Sequence, residues 1–378
     1  MTQGLENPSV RIVPWSAVSA DDLRHWHAMW MQLKRPPDQA PNWALALIDG
    51  HELNRDNLML CVAESEEEWA LAWPFQVKPS AKPTGNASKE LGPLQNVHCL
   101  HSGILSRLPD RQTVHLIINA LISQPSLEWT CLEIRDLEED SSLANAWLDA
   151  ANEFKLPLVS ARGDNPPYID DPGAFDDYLS TRSTSFRKRT RRAVRELDTN
   201  PEYRLQLFTK PDEMPLLMKH ILQIEHGSWK HDAQCAITSR PWEERFYRQL
   251  LGKFSREGTV VGAILFIDGK PAAHSIDLRH ESRVYGLKSS FDRTFAEHRV
   301  GRKIMAAMAK HHFDGNCEEY DFLGTDDPFK QEWTCTARQH VSIRIYRSRF
   351  DYWWAGLRRL AARLRKLMYR HDGAKQPA

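Results

Sequence analysis

Three strand-like segments in close succession, between residues 259 and 290, constrain the fold more than any other feature of the sequence. Residues 259–267 are apolar and rich in β-branched side chains, and residues 271–278 and 284–290 follow after short breaks. The first break is Asp268-Gly269, and an Asp-Gly pair between two apolar runs is the strongest short-range indication of a two-residue hairpin turn. The segment therefore predicts an antiparallel meander rather than parallel strands joined by helices.

The elements around this meander predict a mixed α/β sheet, not a doubly wound parallel one. They are, in order, a strand at 203–208, helices at 211–226 and 240–254, the meander, a helix at 300–313, a strand at 319–323 and a closing strand in which Val341, Ile343 and Ile345 alternate with polar residues.

The first half shows a blurred version of the same order. Its predicted elements are a strand at 10–13, a helix with Leu23, Trp26, Trp30 and Leu33 on one face, a hairpin of 57–63 with 69–77, a loop at 79–89, a helix at 112–122, a strand at 130–134 and a helix at 143–154. We therefore expect a tandem arrangement whose first copy, residues 1–165, is degenerate. The second copy covers 166–350, and 351–378 form a basic amphipathic helix and tail. The boundary falls near Asn165-Pro166-Pro167.

Charge and cysteine usage exclude several classes of protein. Lys and Arg total 50 and Asp and Glu total 50, so no whole-chain field indicates a nucleic-acid partner. The six cysteines show no CxxC spacing, which predicts free thiols and no metal site. The start of the chain lacks the pattern of a signal peptide, and the longest apolar run is too short to span a bilayer. We expect a cytoplasmic protein, with the inner face of the membrane as a second location.

Four segments of the second half carry a more specific pattern. They read YDFLGTDDPFKQEW at 320–333, SFRKRTRRAVR at 185–195, EHGSWK at 225–230 and YGLKSSFD at 285–292. Together they resemble the motifs of Fem-type GNAT acyltransferases, a subgroup that includes the CelD-like acetyltransferases linked to polysaccharide synthesis. The resemblance covers about 165–335 and implies direct attack of an amine or hydroxyl on an activated acyl group, with a small-molecule or sugar acceptor.

The resemblance also implies a donor loop just before the helix at 300. In the family this loop is rich in small residues, so that backbone N–H groups can bind the pyrophosphate of acyl-CoA. Here it contains Arg299, Gly301, Arg302 and Lys303, and Lys303 replaces a small residue. We expect acyl-CoA as co-substrate, held partly by these cations. Aminoacyl-tRNA, used by other members of the fold, stays the alternative donor and the one nucleic acid considered.

Asp327 and Lys330 are the leading catalytic candidates, and an ordinary surface turn is the competing interpretation. Glu225 and Lys288 are further catalytic candidates; a capped helix end and a strand-edge ion pair compete with them. Substrate binding is assigned to Trp229, Lys230 and Asp292. A backbone N–H of a bulged third strand, near 287–289, is expected to polarise the acyl carbonyl. His274 and Asp277 fall on opposite faces of one strand, so they form no dyad; Asp277 is a weaker base candidate.

The basic run from Arg182 to Arg195 puts charge on nearly every side of a helix. It is consistent with a solvated face, with a clamp for an anionic substrate or with a nucleic-acid contact. The resemblance favours the clamp, for which we select Arg187 and Arg191.

The tail at 351–370 combines tryptophan and leucine at helical spacing with arginine and lysine. This pattern is typical of an interfacial amphipathic helix on an anionic membrane, and also of a terminal helix docked on the body or on a second subunit.

Three functions stay open at this point. The first is an acyltransferase, N-acetyltransferase-like in chemistry, that uses acyl-CoA. The second is an aminoacyl-tRNA-dependent aminoacyltransferase. The third is a binding protein without catalysis.

Overall fold

The computed structural model describes residues 8–65, 68–81, 87–96, 99 and 102–373, which form two mixed sheets covered by helices. The strands are β1 Ser9–Pro14, β2 Leu58–Ser65, β3 Glu68–Ala81, β4 Ala87–Pro93, β5 Leu105–Ser106, β6 Trp129–Glu138, β7 Leu158–Arg162, β8 Tyr168–Asp170, β9 Tyr203–Phe208, β10 Val260–Ile267, β11 Lys270–His280, β12 Arg283–Phe291, β13 Glu319–Asp321 and β14 His340–Tyr346. The helices are α1 Ala20–Leu33, α2 Pro41–Gly50, α3 Asp110–Ser123, α4 Ser142–Glu153, α5 Phe175–Thr181, α6 Thr184–Thr199, α7 Met214–His226, α8 Trp229–Asp232, α9 Pro241–Phe254, α10 Val300–Phe313, α11 Pro328–Trp333 and α12 Arg349–Gly373.

The two sheets repeat one pattern. The first has the order β1-β2-β3-β4-β6-β14-β7, with β5 beside β3, and the second has the order β8-β13-β12-β11-β10-β9. In each sheet four antiparallel strands are followed by a parallel neighbour, β6 or β13, and then by an antiparallel one, β14 or β8. The predicted mixed α/β class and the tandem arrangement are therefore confirmed.

The last strand was predicted to close the second sheet, and this prediction is wrong. β14 lies in the first sheet, antiparallel to both β6 and β7. Ile343 and Ile345 are fully buried there, in the core that also contains Leu132 and Ile134. The edge of the second sheet is taken instead by β8, and the first sheet takes β14 from the second half of the sequence, between β6 and β7. A cut at 350 therefore assigns to the second half a strand that folds with the first.

The predicted hairpins are present where the turn chemistry was clear. β10 and β11 pair around Asp268 and Gly269, whose φ angles of 47° and 75° are both left-handed, as a type I′ turn requires. β2 and β3 form the expected hairpin of the first half. The predicted loop at 79–89 is shorter than expected, because β3 runs to Ala81 and β4 starts at Ala87; residues 82–86 lie outside the described residues.

The two halves share one hydrophobic core where α2 packs on α9. Trp43 makes edge contacts with Phe246 and Phe254, with ring centroids 5.7 and 6.2 Å apart. The helices approach so closely that a Cβ atom on Gly50 would lie 2.6 Å from the Cα of Phe246. A glycine is thus required at Gly50 by backbone contact between the halves and not by a turn.

Helix α12 turns Asp351, Trp354 and Arg359 towards the first sheet. Asp351 is buried and accepts a hydrogen bond from the Ser348 hydroxyl, and Arg359 donates to the Tyr346 hydroxyl over 3.1 Å. Phe350, Trp353, Leu357 and Leu360 are 54–69% exposed. Among the described residues, no helix combines the length and the apolar composition needed to cross a bilayer.

Substituting Gly50 tests the contact between the halves. Gly50→Ala is expected to lower the free energy of unfolding by about 1–3 kcal/mol, because the added methyl group meets backbone that has no room to move. Gly252→Ala on α9 is the matched control, since a Cβ there meets nothing within 4 Å. The control should raise stability by about 0.5–1 kcal/mol, and urea unfolding followed by circular dichroism measures both. Equal effects of the two substitutions would contradict the contact.

Candidate functional site

The second sheet opens where β12 and β13 separate. Their parallel pairing covers only Arg283 to Tyr285 on β12. After β13 the chain leaves the sheet through Leu323 and Gly324, which have φ angles of 51° and 60°. β12 continues to Phe291 without this neighbour, so one edge of its second half faces a gap.

A β-bulge lies at the start of this gap. On β11, Ile276 pairs with Lys288 and Asp277 pairs with Gly286, so Leu287 has no partner opposite it. A bulge rotates the local peptide groups away from the regular ladder. The bulge expected near 287–289 is therefore present, and it lies at the edge of the gap.

A cavity of about 290 Å³ occupies the gap. β11 and β12 form its floor, α10 contributes Met305, and the chain from β13 to α11 forms its far wall. Its polar side chains come from Lys230, Ser275, Asp277, Lys288, Ser289, Tyr320, Asp327 and Lys330. The cavity has the size of a small acceptor or of the reacting end of a larger substrate.

Asp277 is the centre of a buried hydrogen-bond network in the cavity floor. Its Oδ2 atom is 2.9 Å from Nε2 of His312 and accepts from the Tyr320 hydroxyl over 3.3 Å, while Oδ1 accepts from the Ser275 hydroxyl over 3.0 Å. Asp277, His312 and Tyr320 are each at most 1% exposed. Burial raises the pKa of Tyr320 well above its ordinary value, and the Asp277 charge adds to this effect. Tyr320 therefore stays protonated at neutral pH and acts as a hydrogen-bond donor.

His274, on the opposite face of β11, belongs to a separate pair with Glu225. Its Nε2 atom lies 3.1 Å from Oε1 of Glu225, whose Oε2 accepts the backbone N–H of Ile237. Burial raises the pKa of Glu225, but the hydrogen bond from His274 and the nearby lysine charges outweigh it, and the net pKa falls to about 2. Burial also lowers the pKa of His274. The pair is an ionised carboxylate beside a neutral imidazole. As predicted, His274 and Asp277 lie on opposite faces of β11 and do not form a dyad.

Glu225 and Lys288, two of the four catalytic candidates, make internal contacts. Glu225 is fully buried and does not line the cavity. The Nζ atom of Lys288 lies 2.6 Å from Oε1 of Glu243, with both side chains nearly buried. Glu225 is thus tied to His274 behind β11, whereas Lys288 lines the cavity while its Nζ atom binds Glu243. The catalytic role of both residues stays a prediction.

Asp327 and Lys330 build the far wall of the cavity. Asp327 caps α11 and accepts the backbone N–H groups of Phe329 and Lys330 over 2.9 and 3.1 Å. The Nζ atom of Lys330 donates to the carbonyl oxygens of Leu323 and Thr325 over 2.6 and 2.9 Å. Burial lowers the pKa of Lys330, against the raising effect of nearby aspartates. Their catalytic role stays a prediction, and their observed contacts fix the turn that opens the gap.

The three predicted substrate-binding residues lie at different distances from the cavity. Lys230 lines it, and its Nζ donates to the carbonyl of Ser289 over 2.6 Å. Trp229 is 51% exposed and does not line it. Asp292 caps the turn after β12 by accepting the N–H and hydroxyl of Thr294, and it packs against Gly227.

A second, cationic groove of about 540 Å³ lies between α6 and the start of α10. Its basic side chains are Lys188, Arg189, Arg192, Arg299, Arg302 and Lys303. Lys303 is nearly buried and bound to Glu196 and to the carbonyl of His298, so its charge is already balanced. Arg302 pairs with Glu332, but its Nη1 atom is buried without a hydrogen-bond partner. Arg299 is exposed at the rim.

Gly301 does not line this groove. A Cβ atom there would lie 3.1 Å from the ring of Phe291, so the absence of a side chain allows α10 to pack closely on β12. The predicted clamp residues also point away from the groove. Arg191 pairs with Asp176 on α5, and Arg187 lies near the carbonyl of Ser180. Other arginines of the same helix line the groove instead.

His312, Tyr320 and Ser275 were missed by sequence reasoning as site residues. Ser275 and Asp277 alternate on one face of β11, and this spacing was a usable indication. His312 ends a helix and Tyr320 sits in a short strand, and no local pattern predicts that both reach Asp277. Within the described ranges, no cluster of three or more His, Cys, Asp or Glu residues has the arrangement of a metal site.

Part of the chain is similar to a known protein family. Residues 184–331 match the family model described as an acetyltransferase (GNAT) domain. This region begins with α6, ends within α11 and contains the gap, the Asp277 network and the cationic groove. No curated protein sequence matches the chain significantly.

Three solved structures share the fold of nearly the whole chain. FemX superposes with a TM-score of 0.57 at 10% identity, covering 85% of this chain and 95% of that one. The C-terminal domain of a putative lysylphosphatidylglycerol synthetase from Agrobacterium fabrum gives 0.54 at 11% identity, with coverages of 89% and 95%. A conserved protein of unknown function from Bacteroides thetaiotaomicron gives 0.53 at 10% identity, with coverages of 89% and 100%. At such identities the likeness shows the fold alone.

The Glu225–His274 pair predicts an acid-sensitive contribution to stability. The folded-state pKa of Glu225 is lowered from 4.5 to about 2, so its ionised form stabilises the fold above pH 4.5. This contribution is lost as the pH falls from 4.5 towards 2. Glu225→Gln should therefore lower the free energy of unfolding by about 1–3 kcal/mol at pH 7, and the deficit should shrink below pH 4.5.

Urea unfolding across this pH range measures the effect. Glu297→Gln is the control, because the Glu297 side chain is 84% exposed. A deficit of Glu225→Gln that stays constant from pH 7 to the acid end would contradict the ionised pair.

Proposed function

We propose that the protein is an acyltransferase that moves an acyl group from acyl-CoA to an amine or hydroxyl of a sugar or small-molecule acceptor. The observation that carries the proposal is the cavity at the separation of β12 and β13, with a bulge on one side and the Asp277 network in its floor. Such a site combines a place for the acyl group, unladdered backbone and a route for a proton.

The bulge at Leu287 supplies electrostatic stabilisation. A backbone N–H that is free of the β ladder can donate to an acyl oxygen as negative charge develops there. Because it is fixed by β12 and β11, this donor needs no reorganisation during the reaction. When bound, acyl-CoA supplies an activated carbonyl carbon.

Tyr320 and Asp277 handle the proton of the acceptor. As the acceptor heteroatom bonds to the acyl carbon and the bond to the leaving sulfur breaks, Tyr320 takes the acceptor's proton and passes its own to Oδ2 of Asp277. His312 and Ser275 hold the Asp277 carboxylate by hydrogen bonds. General acid–base assistance of this kind contributes about 10²–10⁴-fold to a rate.

The cationic groove fits the phosphates of the donor. It places Arg189, Arg192, Arg299 and Arg302 beside the N-terminus of α10, and both a helix N-terminus and arginine favour phosphate. The unpartnered Nη1 atom of Arg302 is a buried donor that an anionic ligand would satisfy. Lys303, by contrast, is bound to Glu196 in the wall of the groove.

Asp327 and Lys330 have a positioning role in this proposal. The Lys330 ammonium binds the two carbonyl groups of the turn that parts β13 from β12, and Asp327 caps the helix that carries Lys330. Lys230 is assigned a similar positioning role on the β12 side of the cavity, where its Nζ atom donates to the Ser289 carbonyl.

The proton route is tested by single-atom changes. Asp277→Asn and Tyr320→Phe should lower kcat by about 10²-fold or more, because the acceptor's proton loses its route. Tyr178→Phe is the matched control: Tyr178 is also buried, and its hydroxyl binds the Trp333 carbonyl, outside the cavity lining. Steady-state release of free thiol from acetyl-CoA, with a panel of amine and hydroxyl acceptors, measures the rate.

Wild-type turnover in Asp277→Asn and Tyr320→Phe, with the fold intact by circular dichroism, would exclude this proton route. A loss of turnover in Tyr178→Phe equal to theirs would show that the effect follows stability and not chemistry.

The donor assignment is tested by thermal shift with acetyl-CoA. A ligand that binds only the folded state at about 100 times its Kd stabilises that state by about 2.7 kcal/mol, so the melting temperature of the wild type should rise. Arg299→Ala and Arg302→Ala should reduce the rise, each compared with its own melting temperature without ligand. Arg191→Ala is the control, because Arg191 belongs to the same basic helix but pairs with Asp176. A wild-type protein that shows no rise with acetyl-CoA or longer acyl-CoA would contradict the proposal.

A second candidate donor is aminoacyl-tRNA. The observation that favours it is the side chain of Lys303 and the arginines around it, where the acyl-CoA loop of the family has small residues. Aminoacyl-tRNA binding that Arg299→Ala weakens, together with no response to acyl-CoA, would select this donor.

A further inference from the structure

We propose that the outward face of α12 is a docking surface for an anionic lipid membrane. This surface, called the α12 stripe below, consists of Phe350, Trp353, Leu357 and Leu360. All four are more than half exposed, and they include the most exposed large apolar side chains of the described residues. Their spacing of three and four residues puts them on one side of the helix.

Helix α12 presents a mixed polar and apolar face to its own protein and leaves four large apolar side chains exposed. A docked terminal helix buries its apolar side and exposes its polar side. Here Asp351, Trp354 and Arg359 line a groove against the first sheet, with Arg358 3.9 Å from Glu90 and Arg359 on Tyr346. The four apolar side chains of the α12 stripe are turned to solvent instead. The body of this chain therefore does not cover the α12 stripe.

Charge identifies the partner. Helix α12 contains seven arginine and lysine residues and two aspartates, a net charge of +5, in a chain whose total formal charge is zero. Arg349 is exposed beside the stripe. An apolar stripe with tryptophan, set in a strongly basic helix, matches a surface that is apolar inside and anionic outside. A second copy of α12 would bring two charges of +5 together, which disfavours self-association.

Docking through the α12 stripe would hold the protein at the membrane surface. The first sheet packs on the side of α12 that is opposite the stripe. The helix would therefore lie in the lipid interface, with the sheet on its water-facing side. A ligand of this protein that is bound to the same membrane would then stay near it by two-dimensional confinement. This inference does not rest on the acyltransfer proposed above, because the stripe and its charge are independent of the cavity.

Flotation with lipid vesicles tests the proposal on the full chain. Vesicles of phosphatidylcholine with about one third phosphatidylglycerol should carry the wild-type protein, and vesicles of phosphatidylcholine alone should carry less. The variant Trp353→Ser/Leu357→Ser/Leu360→Ser should lower the apparent partition coefficient by about tenfold or more, because three large apolar side chains no longer enter the lipid. Raising the salt to about 0.5 M should also weaken binding.

Met31→Ser/Leu216→Ser is the matched control. Both residues are exposed and apolar, at 45% and 46%, but they lie far from α12 in sequence, on α1 and α7. This control should float like the wild type. Because the substituted side chains are outward-facing, all variants should keep the wild-type circular dichroism and melting temperature. Arg349→Glu is a second probe that tests charge without changing the stripe, and it should also weaken binding to the anionic vesicles.

Three results would overturn the proposal. The first is a wild-type protein that does not float with the anionic vesicles at low salt. The second is equal flotation of the wild type and the stripe variant. The third is a wild-type dimer in sedimentation analysis that becomes a monomer in the stripe variant, without vesicle binding by either; the α12 stripe would then be an interface between copies.

Discussion

The ion pairs of Arg338 hold the strand whose departure creates the cavity. Its guanidinium binds the carboxylates of Glu319 and Asp321, at the two ends of β13, and stacks over Tyr168 of β8 at 4.0 Å. Its backbone N–H donates to the Pro166 carbonyl. Asp321 in turn accepts the N–H of Leu323, where the chain turns out of the sheet. Buried carboxylates left without a partner cost about 3–5 kcal/mol, so this arginine fixes β13 and the turn that parts it from β12.

The two faces of β11 show how similar residues acquire different roles. Glu225–His274 and Asp277–His312 are both buried carboxylate–histidine pairs. The first pair lies between β11 and α7, and it holds α7 against the sheet. The second borders the cavity through Asp277 and Tyr320, because the gap between β12 and β13 adjoins that face beside the bulge. Position relative to the gap, and not residue type, separates a structural pair from a candidate proton route.

Local sequence patterns made much of the second half predictable. The contacts between residues that lie far apart along the chain could not be predicted in this way. The Asp268-Gly269 turn and the β-rich runs around it predicted the meander, and the period of two on β11 separated His274 from Asp277. The position of β14 was not predictable, because Val341, Ile343 and Ile345 alternate equally well for either sheet. For the same reason the partners of Lys288 and Glu225 were not predictable: Glu243 and His274 are 45 and 49 residues away along the chain. The resemblance to GNAT acyltransferases led to four residues that line the cavity, namely Lys230, Lys288, Asp327 and Lys330. It did not lead to Ser275, His312 and Tyr320, which contact Asp277 in the cavity floor.

The central claim is that the gap between β12 and β13 and the groove before α10 form one site for an acyl donor. Hydrogen–deuterium exchange of the intact protein, with and without acetyl-CoA, tests this claim most directly, since it reports individual backbone segments. The account predicts added protection at 286–289, on the bulge, and at 299–303, at the start of α10, with no change in the first sheet. Protection confined to the groove beneath α12, or no change in either predicted segment at saturating acetyl-CoA, would contradict it.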